Sequence, residues 1–186
     1  MANADRPSGF TPLRHAFGGV IRANPYHILH GYTTGIFTGD MVILSSGLVN
    51  QGAANSATPL GVFAGCQYIA TDGSVVFSKH WPASTAVLGD TDLSVAYVYD
   101  DPGIVYSVQV DTGSTYAAAT HDGNVYDIEL DHAGNTTTGQ SGMELDLNDT
   151  SEGQWLLLGL IDMPGNAAGV NAKVAVKLAI SLVQGT

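Results

Sequence analysis

The sequence predicts an all-β domain, a small barrel or a two-sheet sandwich, with an extended N-terminal arm and at most one short helix. Three observations carry this reading. Apolar residues recur at every second position in several stretches, the period of a half-buried strand. Gly, Asp, Asn and Pro punctuate the intervals between those stretches. Only residues 115–120, with Ala117-Ala118-Ala119, read as helix, and they stop after a turn or two at Asp122-Gly123.

A division falls near residue 35. Residues 1–35 show neither a helical nor a strand period and hold Pro7, Pro12 and Pro25 with Gly9, Gly18 and Gly19, so they read as an arm. Residues 36–186 read as the body. The arm also carries Phe10, Leu13, Phe17, Ile21 and Tyr26, and a solvated tail has little use for such groups. Ordering each residue costs on the order of 1–2 kcal/mol. The arm therefore needs apolar anchorage, on its own body or across a neighbouring subunit.

Within the body, Met41-Val42-Ile43-Leu44 and the run Leu60 to Ile69 are short apolar stretches bounded by Gly, Ser and Asn. Thr71-Asp72-Gly73 joins Gln67-Tyr68-Ile69 to Val75-Val76-Phe77 as a hairpin, because Asp-Gly tolerates positive φ. Leu93, Val95, Tyr97 and Tyr99 alternate with Ser94, Ala96 and Val98. Ile104, Tyr106, Val108 and Val110 alternate with Val105, Ser107 and Gln109, after the turn signal Asp100-Asp101-Pro102-Gly103. Residues 131–142 read as a loop. Gln154 to Asp162, with Trp155-Leu156-Leu157-Leu158, is apolar on both faces and so central. Last comes the clearest period, with Val174, Val176, Leu178, Ile180 and Leu182 facing one way and Ala175, Lys177, Ala179, Ser181 and Val183 the other.

Charge narrows the partners. The net charge is −11, and it is unevenly spread: residues 1–22 hold Arg6, Arg14 and Arg22 against Asp5, a net +2, while the remainder carries −13. A phosphate backbone is repelled by such a body, so no nucleic-acid partner is expected. Charged residues are only 12%, about half the usual ~25%. The surface is therefore rich in small polar side chains, as suits one covered by neighbours. A single cysteine, Cys66, rules out an internal disulfide and reads as a buried small hydrophobe. No run reaches the ~18 apolar residues of a membrane span, so no membrane is expected. Met1 to Pro7 holds no apolar core of a signal peptide, so maturation in a cytoplasm is expected.

A search for chemistry returns little. Gly139-Gln140-Ser141-Gly142-Met143 approaches a nucleophile elbow but has Met where the second Gly belongs. His27 and His30 are spaced i, i+3, with His80, His121 and His132 elsewhere, and none has the H-E-x-x-H spacing of a metal site. Glu144, Asp146, Asp149 and Glu152 form an acidic run without the pattern of a calcium loop. Gly18-Gly19 lacks the helix and Lys of a phosphate cradle. No enzyme, cofactor or metal is expected.

Several segments resemble the cement, or decoration, proteins that coat the heads of tailed bacteriophages. They are Gly35 to Asp40, Gly61 to Gly65, His80 to Ala83, Ala96 to Pro102, Thr138 to Leu145 and Asn171 to Val174, spread from about Arg22 to the end. The resemblance implies a β-tulip or barrel module and a non-enzymatic virion protein on the outside of the capsid, made in the host bacterial cytoplasm. It also implies a homotrimer that binds the major capsid protein and clamps adjacent subunits after head expansion. On that reading Arg6, Arg14 and Arg22 pair with acids on the coat or on a neighbouring copy, and Phe10, Leu13 and Phe17 are apolar anchors. A rival reading is a β-sandwich that binds host glycans by stacking sugars on Trp81, Tyr97 and Tyr126. A hydrolase acting through Ser141 is a weaker rival, since no base accompanies that serine.

Overall fold

The computed structural model describes residues 3–83, 88 and 94–183. Its elements are, in order, β1 (Thr11–His15), β2 (Asn24–His27), β3 (Ile36–Phe37), β4 (Met41–Ser45), β5 (Leu48–Gln51), β6 (Gly61–Ile69), β7 (Val75–Ser78) and β8 (His80–Trp81). There follow β9 (Val95–Tyr99), β10 (Ile104–Gln109), α1 (Ala118–His121), β11 (Val125–Glu129), β12 (Glu144–Asp146), β13 (Trp155–Leu160) and β14 (Lys173–Leu178). One sheet runs β1-β10-β14-β13-β11-β12 and the other β2-β9-β6-β4-β5, with β7 on the far half of β6 and a small β3-β8 pair beside them. The strand pairing is antiparallel and does not close into a barrel, so of the two expected architectures the sandwich stands. Among the described residues no helix is long and apolar enough to cross a membrane.

Alternation along the strands sorts side chains into two cores. On β10, Ile104, Tyr106 and Val108 enter one core with Trp155 and Leu157 of β13 and Val174, Val176 and Leu178 of β14. The second sheet has two apolar faces. Met41 and Val62 point into that first core, while their neighbours Val42 and Phe63 enter a second one with Ala96, Val98 and Cys66. Ile28, Ile36 of β3 and Trp81 of β8 complete the second core. This is why Leu60 to Ile69 reads as a continuous apolar run: β6 has no solvent face over most of its length. Cys66 is buried as expected; its thiol donates to the His80 carbonyl at 3.4 Å, and burial pushes its pKa up to about 12.

Several expected turns have the expected cause. Gly73 adopts φ +86° between β6 and β7, as the Asp-Gly pair requires. The segment Asp100 to Gly103 turns the chain too, but it joins strands of different sheets, β9 to β10. The helix shrinks to a single turn, Ala118–His121. The C-terminal strand ends at Leu178, so Ile180 and Leu182 fall beyond it and are exposed. Leu93, placed by its period at the start of β9, lies outside the described residues.

The leader is built differently from a free arm. β1 pairs with β10 in one sheet and β2 with β9 in the other, so residues 11–27 run antiparallel to the crossover that links the two sheets. Ahead of β1 the chain passes between Gly39 and Ser141. Gly9 sits there at φ +65°, where any β-carbon would strike the Ser141 side chain and the Gly39 carbonyl. Phe10 N–H donates to that carbonyl at 2.8 Å, and the Phe10 ring stacks on Trp155 at 4.0 Å with an interplanar angle of 14°. Phe10 is 1% exposed. It is a core residue, which corrects its assignment as an anchor on a neighbour: the hydrophobic gain is available inside the same chain, at the gap beside Trp155.

Buried carboxylates are held by neutral donors. Asp127 accepts from the amides of Glu152 and Gln154 at 2.9 and 3.0 Å. Asp40 accepts from Phe37 N–H at 2.9 Å, from Gln51 at 2.8 Å and from the Ser141 hydroxyl. Burial nonetheless raises Asp40 above the usual carboxylate range, since these donors only partly offset its lost hydration.

Two outcomes follow from this packing. Phe10→Ala is expected to cost roughly 3–5 kcal/mol, read from urea unfolding, because the ring leaves a cavity against Trp155; a loss below about 1 kcal/mol would mean that the leader is not a core element. Asp40 binds its proton more tightly folded than unfolded. The stability it confers is therefore full below about pH 4, its unfolded value, and is lost as pH rises through the higher folded value. Relative to Asp40→Asn, the wild type should weaken as pH climbs from 4, measured as urea midpoints across a pH series.

Candidate interaction surface

Where β1 ends, residues 16–23 form a loop across the sheet-to-sheet corner at Asp100 to Gly103. His15 holds the loop from within. Its Nδ1 accepts two backbone N–H groups, Phe17 at 3.1 Å and Gly19 at 3.0 Å, so that nitrogen carries no proton. Nε2 therefore bears the hydrogen and donates to Asp101 at 3.1 Å. Ala16 N–H donates to the Gly103 carbonyl at 2.7 Å. On the β2 side, Asn24 and Tyr26 donate to the Asp100 carboxylate. Burial, with the Asp100 carboxylate beside it, pushes the Tyr26 phenol up to about 12. The two flanks of the loop are thus tied to adjacent acidic residues, the β1 side to Asp101 and the β2 side to Asp100.

This scaffold presents apolar groups outward. Phe17 is 84% exposed and Val20 71%, and Leu13 on β1 is about half exposed. Arg14 and Arg22 are exposed on either side of the loop, and Arg22 shares a shallow cleft with His15, Val20, Asn24, Asp100 and Asp101. Arg6 is exposed as well but lies at the other end of β1 and β10, where its backbone N–H donates to Gln109. Among the described residues none of the three arginines forms an ion pair. Of the six residues that sequence singles out, Leu13 and Arg14 are exposed on β1 and Phe17 and Arg22 in the loop that follows it, Arg6 lies apart and Phe10 is buried. Val20 joins this surface, and its only signal in the sequence is that of an apolar residue between Gly18-Gly19 and Ile21-Arg22.

Other candidates are drawn into the interior. Ser141 is buried, with its hydroxyl on Asp40 and its oxygen accepting Met143 N–H at 3.0 Å. Trp81 and Tyr126 are buried and offer no sugar-stacking face, and Tyr97 is half-buried with its hydroxyl on Gln67. His80 stacks on Phe37 at 5.5 Å, and His121 Nδ1 lies against its own turn of helix. The acidic run separates: Glu144 turns inward on β12, while Asp149 caps Ser151 at the surface. Glu144 does meet a histidine, His132, which no sequence spacing indicated. Comparison with protein-family models, with curated proteins and with solved structures finds no match to this chain.

His15→Ala removes the acceptor for two amides at once. Faster hydrogen exchange at Phe17 and Gly19 is expected, with a stability loss of about 1–3 kcal/mol. Unchanged exchange at both would show that His15 does not hold the loop.

Proposed function

We propose that the chain is a capsid cement protein of the tailed-phage kind, which binds the outside of a head as a homotrimer and bridges adjacent major capsid subunits. The observation that carries this reading is the loop at residues 16–23: a segment tied through His15 and the Asp100-Asp101 corner that displays Phe17 and Val20 to solvent, with Arg14 and Arg22 making no ion pair among the described residues, on a molecule of net charge −11. An exposed ring of that size on a fixed backbone is the kind of anchor that supplies most of the energy of a contact. Two arginines at its edge give orientation against carboxylates. The resemblance of the scattered segments to decoration proteins points the same way.

Stabilisation of a shell by such a protein is linkage. A ligand that binds only the assembled head stabilises it by RT ln(1 + [L]/Kd), about 2.7 kcal/mol per site at a hundredfold excess over Kd. Three copies joined in a trimer add avidity with no new kind of contact. The body's acidic surface keeps the protein off the packaged genome.

The test uses expanded, undecorated heads of the phage that encodes this chain. Purified full-length protein should co-sediment with them and raise their disruption temperature. The double substitution Phe17→Ser with Val20→Ser should weaken binding at least tenfold while leaving the protein's own Tm unchanged. Failure of the wild type to sediment with heads at saturating concentration would sink the proposal, as would full binding by the double variant.

A further inference from the structure

A second polar cluster lies at the opposite end of β1 and β10 from the loop. Glu144 on β12 is 1% exposed, and its Oε2 lies 2.8 Å from His132 Nδ1. Gln109, at the end of β10, donates to Glu144 Oε1 at 3.3 Å and to Asp5 Oδ1 at 3.2 Å. The other ring nitrogen of His132, Nε2, stands 3.9 Å from Asp5 Oδ2. One donor atom from each of Asp5, His132 and Glu144 falls within 4.8 Å of the others. Three parts of the chain far apart in sequence thus converge: leader, loop and strand.

The charge balance there is incomplete. Asp111 follows β10, and its Oδ1 is buried without a hydrogen-bond partner. Among the described residues no Lys or Arg pairs with any of these acids, and Asp5 and Glu144 share the single imidazole of His132. The ring is also oriented. A neutral His132 that donates Nδ1–H to buried Glu144 presents its Nε2 lone pair on the side of Asp5. Two electron-pair donors 3.9 Å apart suit a shared ion, since bonds of roughly 2.0–2.2 Å to each leave them about 3–4 Å apart. A carboxylate behind a ligating histidine is the usual means of fixing tautomer and ring angle.

We propose that this cluster binds a divalent transition cation of the zinc class, with His132 Nε2 and Asp5 as ligands, Glu144 orienting the ring, and water completing the coordination sphere. Imidazole and carboxylate together favour zinc-like ions over calcium or magnesium, which prefer oxygen alone. The ion fastens residues 3–8 to the loop before β12 and so secures the start of the leader. The site is independent of head binding and stands or falls without it.

The test takes the full-length, tag-free protein, stripped with EDTA and dialysed, and titrates zinc chloride at pH 7.5 by calorimetry and thermal shift. One ion per chain is expected, with a Tm rise that EDTA reverses and slower hydrogen exchange in residues 4–8. His132→Ala and Asp5→Asn should each weaken binding at least tenfold. Both side chains are substantially exposed, so these variants fold even if a Glu144→Gln variant does not. Absence of zinc binding by the wild type would overturn the proposal. Equal binding by wild type and both variants would overturn it too, by placing the ion elsewhere.

Discussion

Phe10 stacked on Trp155 fixes the course of everything before β2. The contact is reached only because Gly9 passes between Gly39 and Ser141, through a gap that no larger residue could cross in that conformation. Downstream of Phe10, β1 pairs with β10 and β2 with β9. Upstream, Asp5 is brought over Gln109 and Glu144. A segment with Pro, Gly and no period, which composition alone would leave free, is thereby stitched across both sheets. The loop at residues 16–23 inherits a defined position from that stitching, with His15 and the Asp100-Asp101 corner as its local ties.

A shortage of cations shapes the rest. With six Lys and Arg against seventeen acids, the fold cannot neutralise its inward-facing carboxylates with salt bridges. It uses amides and hydroxyls instead: Asp127 takes two backbone N–H groups, and Asp40 takes Phe37, Gln51 and Ser141. Such donors stabilise a buried carboxylate without the geometric demands of an ion pair. The same shortage leaves the cluster at Glu144 with more negative charge than its one histidine can balance, while among the described residues the three arginines make no ion pair despite the surplus of acids.

The legible and the illegible parts of this fold divide along physical lines. A strand whose two faces differ, such as β14, announces itself by alternation, and the Asp72-Gly73 turn announces its hairpin. β6 is legible as an apolar run because both its faces are covered. The short β3, β5, β8 and β12 are not, since two to four residues are too few to establish a period. β1 and β2 are hidden for a different reason: they are edge strands with mostly exposed side chains, selected by pairing and by the Phe10 anchor, not by pattern. Sequence found most of the exposed loop through its Phe and Arg residues. It missed the pairing of His132 with Glu144 and Asp5, because those positions meet only through tertiary contacts.

On the proposed function, the molecule works through the surface at residues 13–22, pressed against a larger assembly. Cryo-electron microscopy of undecorated heads incubated with the purified protein tests it most directly. Density for the chain on the outer face, as trimers with Phe17 and Val20 buried against coat subunits, is the expected result. Bare heads, or bound chains whose Phe17 loop faces solvent, would contradict it.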